Sequence, residues 1–410
     1  MHAFNLIRTL RKPGLIAFTL LALAGLAAAQ AYQQTNLVSD IQGLAPCQNP
    51  RLLNPWGLIA SSTSPWWIAD NNAGVSTLYT GVLTLDGAGN PVCNSSKGLI
   101  LPLVINIPPI GSDPATGNAV GTGTPTGVVF TRGAGAGSTF QFKNAGGSTS
   151  TAIFTFVTEG GTISAWPGHG DAVLIIDNSV NPSAELGAVY KGATVAAMSP
   201  GGPSFLYVTN FRAGRIEVYD TNFQPVDLTG DGDRDRDDRP FFDREIPAGY
   251  APFNVQEVNG NLYVTYARQN AAKHDDADFP GHGFVDKFSP AGKLLQRLEA
   301  GPWLNAPWGV ALAPANFGFF SNHLLIGNAG SGQIAVYDAD SGRFDGLLRD
   351  ANGHALQNDR LWALRFGNGA AAGPTNWLYF TAGLQGEADG LFGFFTPADN
   401  SAPESNRDDH

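Results

Sequence analysis

Charge is scarce in this sequence. Only 14% of its 410 residues are Asp, Glu, Lys or Arg, and the basic kind is the rarer, 24 against 35 acidic. A chain so poor in charge, with 10% aromatic residues, carries too much apolar surface to stay disordered. The shortage of Lys and Arg argues against nucleic acid or an anionic membrane surface as a partner. Cysteine is nearly absent: Cys47 and Cys93 are the only two. There is no CxxC and no Cys/His zinc spacing, so neither a thioredoxin-type centre nor a zinc finger is encoded. A lone pair suits one disulfide in an oxidising compartment, worth about 3 kcal/mol; two buried free thiols are the alternative. No Gly-rich phosphate motif opens a helix, so no nucleotide cofactor is expected. No G-x-S-x-G elbow occurs, and no Ser-His-Asp set can be assembled from spacing.

Long apolar runs are missing too, with one exception. Leu15 to Leu26 follows Arg8, Arg11 and Lys12 and precedes the small-residue segment "LAAAQA". The run is shorter than the roughly 20 residues a membrane span needs. Its three-part layout is that of a secretory signal peptide over residues 1–31, cleaved after Ala29 or Ala31. A secreted or periplasmic protein is expected, with no membrane span in the mature chain. Removing the signal leaves 21 basic against 35 acidic residues, a net charge of −14. That suits solubility and cation binding.

Glycine and proline are abundant, 51 and 27 residues, which excludes a helical protein and suits many tight turns. One pattern recurs through residues 32–396. A short apolar strand follows a breaker, then an aromatic and β-branched strand ending in a polar residue, then a Gly turn and a third strand. The copies read "NPWGLIA…WWIADN…GVSTLY", "TPTGVVF…IFTFVTE…GTISAW", "YKGATVAAM…FLYVTNF…GRIEVYD", "YAPFNVQEV…NLYVTYA…GFVDKFS", "NAPWGVALA…HLLIGNA…GQIAVYD" and "RLWALRF…WLYFTAG…GLFGFF". Outer strands follow in several copies, for example "KLLQRL" and "FDGLLR". Four-stranded antiparallel units repeated six times predict an all-β, six-bladed β-propeller. After its third strand the sixth copy runs into a polar tail, residues 397–410. "TNLVSD", Thr35 to Asp40, is predicted to supply its missing outer strand and so close the ring.

The long motifs "SPWWIADNNAGVSTLY", "PAGYAPFNVQ", "KHDDADFPGHGFVD", "NAPWGVALAPANFG" and "LWALRFGNG" resemble a family of secreted bacterial proteins often associated with PEP-CTERM sorting signals. The resemblance covers essentially the whole mature chain. It implies a propeller and a secreted setting, and it supplies no catalytic residues. A Pro-Glu-Pro tail with a terminal apolar helix is not present in this sequence, so a soluble monomer is expected rather than an anchored one.

In an antiparallel meander the loops after second strands and the starts of inner strands open on one face, where the axial tunnel offers a ligand concavity. That face is predicted to carry Asp70, Glu159, Asn210, Asn328 and Glu387, framed by Trp56, Phe253, Trp308 and Trp362. A long loop of the fourth unit adds His274, Asp275, Asp276, Asp278 and His282, the densest set of potential ligands. Imidazole with carboxylates suits a transition metal, and carboxylates alone suit calcium. The plain alternatives are Asx turns for the Asp and Asn residues, packing between blades for the Trp residues, and neutralisation of Asp275 or Asp276 by Lys273. The expected function is binding of a small molecule, carbohydrate or protein through this face. A metal-dependent, calcium-type hydrolase or lyase of the lactonase or esterase kind is the rival. Against it, the inner strands start with Trp, Thr, Phe and Trp where such enzymes place Asn and Asp, Asn254 excepted. A quinone-dependent dehydrogenase would need basic cofactor anchors that cannot be placed.

The stretch "DLTGDGDRDRDD" holds six aspartates in twelve residues. Its spacing follows a calcium loop, with Asp227, Thr229, Asp231, Asp233, Asp235 and Asp238 at positions 1, 3, 5, 7, 9 and 12. Pro240 follows and no helix enters, which excludes an EF-hand pair; the loop looks like those of dockerin-type repeats. A structural Ca2+ is expected there, a solvated acidic loop being the alternative.

Overall fold

The computed structural model describes residues 31–110, 122–133, 137–144, 146–183, 185–229 and 239–398. The expected signal peptide up to residue 30, the tail from residue 399 and positions 230–238 of the aspartate-rich stretch lie outside the described residues.

Short Gly-bounded strands pair with their sequence neighbours, and six sheets stand in a ring as a six-bladed β-propeller. From the axis outward, blade 1 is Pro55–Ile59, Trp66–Asp70, Val75–Tyr79 and Ile100–Asn106. Blade 2 is Pro125–Phe130, Phe154–Thr158, Thr162–Trp166 and Val173–Asp177. Blade 3 is Tyr190–Ala197, Ser204–Asn210 and Arg215–Tyr219, and blade 4 is Tyr250–Val258, Asn261–Arg268, Gly283–Phe288 and Leu294–Arg297. Blade 5 is Pro307–Leu312, His323–Asn328, Ile334–Asp338 and Phe344–Leu347. Blade 6 is Leu361–Phe366, Leu378–Gly383 and Asp389–Pro397, completed from the other end of the chain.

The completing strand is Tyr32–Ser39, antiparallel to Asp389–Pro397 in a register running from Tyr32 opposite Pro397 to Ser39 opposite Leu391. Cys47 and Cys93 are bonded to each other. Cys47 pairs beside the closing strand and Cys93 lies before the outer strand of blade 1, so the bridge joins the two blades that meet at the closure.

Two details depart from a uniform meander. Blade 3 has no outer strand among the described residues; where "FQPVDL" predicts one there is an isolated bridge from Tyr219 to Pro225 and a hydrogen bond from Val226 N to Val218 O of 2.8 Å. Pro225 has no N–H to extend the ladder. Blade 2 carries an unforeseen hairpin, Gln141–Lys143 with Thr149–Thr151, between its first two strands.

The core is divided by blade interface. Separate apolar clusters lie between blades 1 and 2, 2 and 3, 3 and 4, 4 and 5, and 5 and 6. The sixth, between blades 6 and 1, continues into the axis. Side chains also bond to inner strands of the next blade: Thr381 Oγ1 of the second strand of blade 6 donates to Trp56 O at 2.7 Å, and Asn254 Nδ2 of the blade 4 inner strand to Trp308 O at 2.7 Å.

The inner strands share a register that sets the axis. Trp56, Thr126, Lys191, Phe253, Trp308 and Trp362 occupy equivalent positions, the second residue of each inner strand except Phe253, the fourth of the longer blade 4 strand, and they are followed by Gly57, Gly127, Gly192, Asn254, Gly309 and Ala363 in turn. Small residues at this following position let neighbouring backbones approach. A Cβ on Gly57 would lie 2.5 Å from the Thr126 carbonyl oxygen, and one on Gly192 would overlap the Asn254 amide.

Candidate functional site

The ring of these equivalent inner-strand residues plugs the axis. Trp56 and Trp362 stack with ring centroids 3.6 Å apart, and Trp308 and Phe253 meet Trp56 edge-on at 6.1 and 6.2 Å. All four are buried. This apolar floor lies at the end of the tunnel where the second strands finish.

Lys191 interrupts the aromatic ring, and its side chain is 1% exposed. The ammonium lies 5.0 Å from the Trp56 ring centroid and 5.9 Å from that of Phe211. It ion-pairs with Glu159 of blade 2 and, at 3.2 Å, with Asp275 of the blade 4 loop. Burial alone would lower its pKa, but the two carboxylates outweigh burial and raise it. Lys191 is therefore a fixed cation and not a nucleophilic amine.

His274 Nδ1 lies 2.8 Å from Asp275 Oδ1. That hydrogen bond, with the Lys191 charge, holds the Asp275 carboxyl well below the usual carboxylate range. Glu159 Oε2 accepts from Asn71 Nδ2 at 2.9 Å. One ligand atom from each of Glu159, His274 and Asp275 falls within 4.8 Å of the others, a grouping that suits a metal ion in its donor types.

The neighbouring carboxylate reaches the other way. Asp276 accepts from Arg360 Nη1 at 3.0 Å, and Arg360 Nε lies 3.0 Å from Glu387 Oε1. Glu387 Oε2 accepts from Asn54 Nδ2 at 2.9 Å, and Asn54 Oδ1 accepts the Trp362 indole N–H at 3.1 Å. Burial raises the Glu387 pKa against the opposing Arg360 charge. Asp275 is thus tied to blade 3 and Asp276 to blade 6, on opposite sides of a six-blade ring. The blade 4 loop lies across the tunnel mouth as a strap.

The structure so brings together Glu159, His274 and Asp275, and joins Asp276 to Glu387 through Arg360. His282 lies farther along the strap, Nδ1 donating to Ala277 O at 2.8 Å and Nε2 facing Arg268 at 3.2 Å. Asp70, Asn210 and Asn328 are held within their own blades. Asn210 accepts from Ala213 N at 3.1 Å and donates to Glu217 at 2.9 Å. Asn328 accepts from Asn305 N at 2.9 Å and donates to Gln333 O at 3.1 Å. Of the aspartate-rich stretch, Asp227 accepts from Thr229 N and Oγ1 at 2.8 and 2.6 Å; Asp231, Asp233, Asp235 and Asp238 lie outside the described residues.

Asp70 is fully buried, and Oδ2 accepts from Thr77 N and Oγ1 at 3.1 and 2.6 Å, while Oδ1 has no partner. Burial raises its pKa well above the usual value of 3.8. The folded state then binds the proton more tightly than the unfolded chain, so stability falls as pH rises from about 4 toward the native pKa. Asp70→Asn, which keeps the acceptor toward Thr77, should raise stability by about 1–4 kcal/mol at neutral pH. The gain should shrink toward zero as pH falls to about 4, and thermal melting between pH 4 and 8 measures it.

Lys191, Arg360, Asn54 and Asn71 were not among the residues singled out from sequence. The signal for Lys191 was its register, a lysine where four other inner strands carry an aromatic residue.

No family model matches the chain. Two uncharacterised proteins of Acanthamoeba polyphaga mimivirus are similar to it. R648 is 27% identical over 374 residues, covering 87% of this chain and 78% of the relative. L690 is 26% identical over 367 residues, covering 87% and 83%. Among solved structures, a streptogramin B lyase is similar at a TM-score of 0.46 and 12% identity, covering 90% of this chain and 97% of that one. A glucose dehydrogenase is similar at 0.45 and 13%, covering 88% and 99%.

Proposed function

We propose that this propeller binds a small, positively charged ligand at the strapped tunnel mouth. The observation that carries the reading is a charge imbalance. Glu159, Asp275, Asp276 and Glu387 surround only Lys191 and Arg360, and Asp278 is close enough to add its field at Arg360. Excess carboxylate over a low-dielectric floor of indole rings focuses a negative potential. Half-exposed His274 and Asp275 and exposed Phe279 offer contacts on the outer side of the strap.

A metal-dependent hydrolase is the second reading, favoured by the Glu159, His274 and Asp275 grouping. Against it, the Lys191 ammonium already lies among those groups and does the neutralising work a metal would do. Calorimetry with putrescine and with manganese chloride tests both. Organic amine binding that weakens at least about tenfold in Asp275→Asn supports the first reading. Metal binding with chelator-sensitive hydrolysis of lactones or esters would replace it by the second, and no binding of either probe would overturn both.

Residues 227–238 are proposed to hold a structural calcium ion, on the loop spacing and the repulsion among six aspartates that Arg234, Arg236 and Arg239 offset only in part. Calcium should raise the melting temperature and Asp231→Ala should cancel the rise. Export through the N-terminal segment fits this setting, since a disulfide persists in an oxidising compartment.

A further inference from the structure

Below the aromatic floor the axis opens into a small vault. Its cavity measures about 20 Å³ and is lined mainly by the residues one to three positions beyond that ring on the inner strands. Gly57, Gly127 and Gly309 contribute bare backbone to its wall. Trp308, from the aromatic ring, forms part of its roof. Arg365 of blade 6 and Gln256 of blade 4 form its floor, joined across the axis by a hydrogen bond from Arg365 Nη2 to Gln256 Oε1 of 2.8 Å.

Two features of this vault lack a counterpart. The Trp308 indole N–H is buried with no acceptor. A buried donor left unpaired costs about 1–3 kcal/mol; Trp56, Trp66 and Trp67 leave their indole N–H groups unpaired as well, but of the four only Trp308 lines the vault, where a bound acceptor would satisfy it. The Arg365 guanidinium has a neutral amide as its hydrogen-bond partner and no carboxylate within ion-pair distance among the described residues. Burial pulls its pKa down to about 10, with the Glu257 charge opposing. Glu257 itself is engaged elsewhere, accepting from Gly260 N at 2.7 Å. Lys191 and Arg360 each have carboxylates beside them at the tunnel mouth, whereas Arg365 has none among the described residues.

We infer that the axial vault is a binding site for one halide-sized anion, held between the Trp308 N–H and the Arg365 guanidinium. The size supports a monatomic ligand, because roughly 10–15 Å³ of such volume accommodates one water-sized particle and a carboxylate or sulfate does not fit. The chemistry supports an anion over water. Both groups are donors only, one carries a full charge, and Arg365 is only partly exposed, so the field of that charge is incompletely screened by solvent. The site is independent of the ligand proposed for the tunnel mouth, from which the Trp56, Trp308 and Trp362 rings separate it.

Crystals of the mature protein grown in sodium bromide test this by anomalous scattering. The expected result is one bromide peak on the axis within contact of Arg365 and Trp308, lost in Arg365→Gln and weakened in Trp308→Phe. In solution, the wild-type melting temperature should be about 2 °C or more higher in sodium chloride than in sodium gluconate at equal ionic strength. This second measurement stands if Arg365→Gln fails to fold. A vault peak without anomalous signal, meaning water, overturns the inference. So does an undiminished bromide peak in Arg365→Gln, or identical melting in the two salts.

Discussion

A mature chain lacking residues 32–40 should melt at least about 10 °C below the intact protein, or lose its cooperative transition. The deleted strand, Tyr32–Ser39, is the outer strand of a blade whose other strands come from residues 361–397. Tyr32, Leu37 and Val38 are at most 1% exposed, and burying three such side chains is worth roughly 5–8 kcal/mol. The Tyr32 hydroxyl adds a donated bond to Phe317 O and an accepted bond from Phe320 N, both 3.0 Å, which fasten the closing strand to blade 5. Its loss would also expose the edge of Asp389–Pro397, an unpaired ladder able to recruit a second chain. The Cys47–Cys93 bond lies outside the deletion and keeps the new terminus near blade 1. It replaces none of the lost ladder. Thermal melting followed by circular dichroism decides the matter, and an unchanged transition would show that the ring closes without this strand.

The closing strand was legible in sequence because strand identity is local. "TNLVSD" is a short segment with an apolar Leu-Val centre, and the sixth repeat visibly lacked a fourth member. All eighteen strands quoted in the six repeats occur where the pattern put them. What stayed hidden depends on which blades face each other across the axis. Asp275 and Asp276 are adjacent in sequence, so Lys273 was the obvious partner to weigh. Only the ring brings Lys191 and Arg360 to opposite ends of that dipeptide. Asp70, Asn210 and Asn328 share a sequence position with Thr158 at the ends of second strands, and there the short polar side chain bonds within its own blade. Glu159 comes one residue beyond Thr158, and that single step turns its carboxylate to Lys191. A polar residue at a strand end is thus a weak sign of a ligand site unless its side chain outreaches its own turn.

Lys191→Met should lower stability by about 3–5 kcal/mol at neutral pH, although methionine fills a similar volume among the same rings. The reason is the carboxylate left behind. Glu159 has a side chain only 13% exposed, and without the ammonium it keeps Asn71 as its remaining partner. Glu159→Gln added to Lys191→Met should recover a large part of the loss, because it removes the unpaired charge rather than restoring the pair. The pH dependence separates this from a packing defect. The native pKa of Lys191 is raised above its ordinary 10.5, so its contribution is present below that value and is lost as pH rises through the native pKa. Asp275 has a native pKa below its ordinary 3.8, so its share is present above that value and is lost as pH falls toward the native pKa. The difference between wild type and Lys191→Met should therefore be flat from about pH 5 to pH 10 and narrow beyond both limits. A difference that persists unchanged at pH 11, or one that Glu159→Gln fails to reduce, would mean that Lys191 stabilises the axis through its aliphatic stem and its packing on Trp56, with no net contribution from its charge.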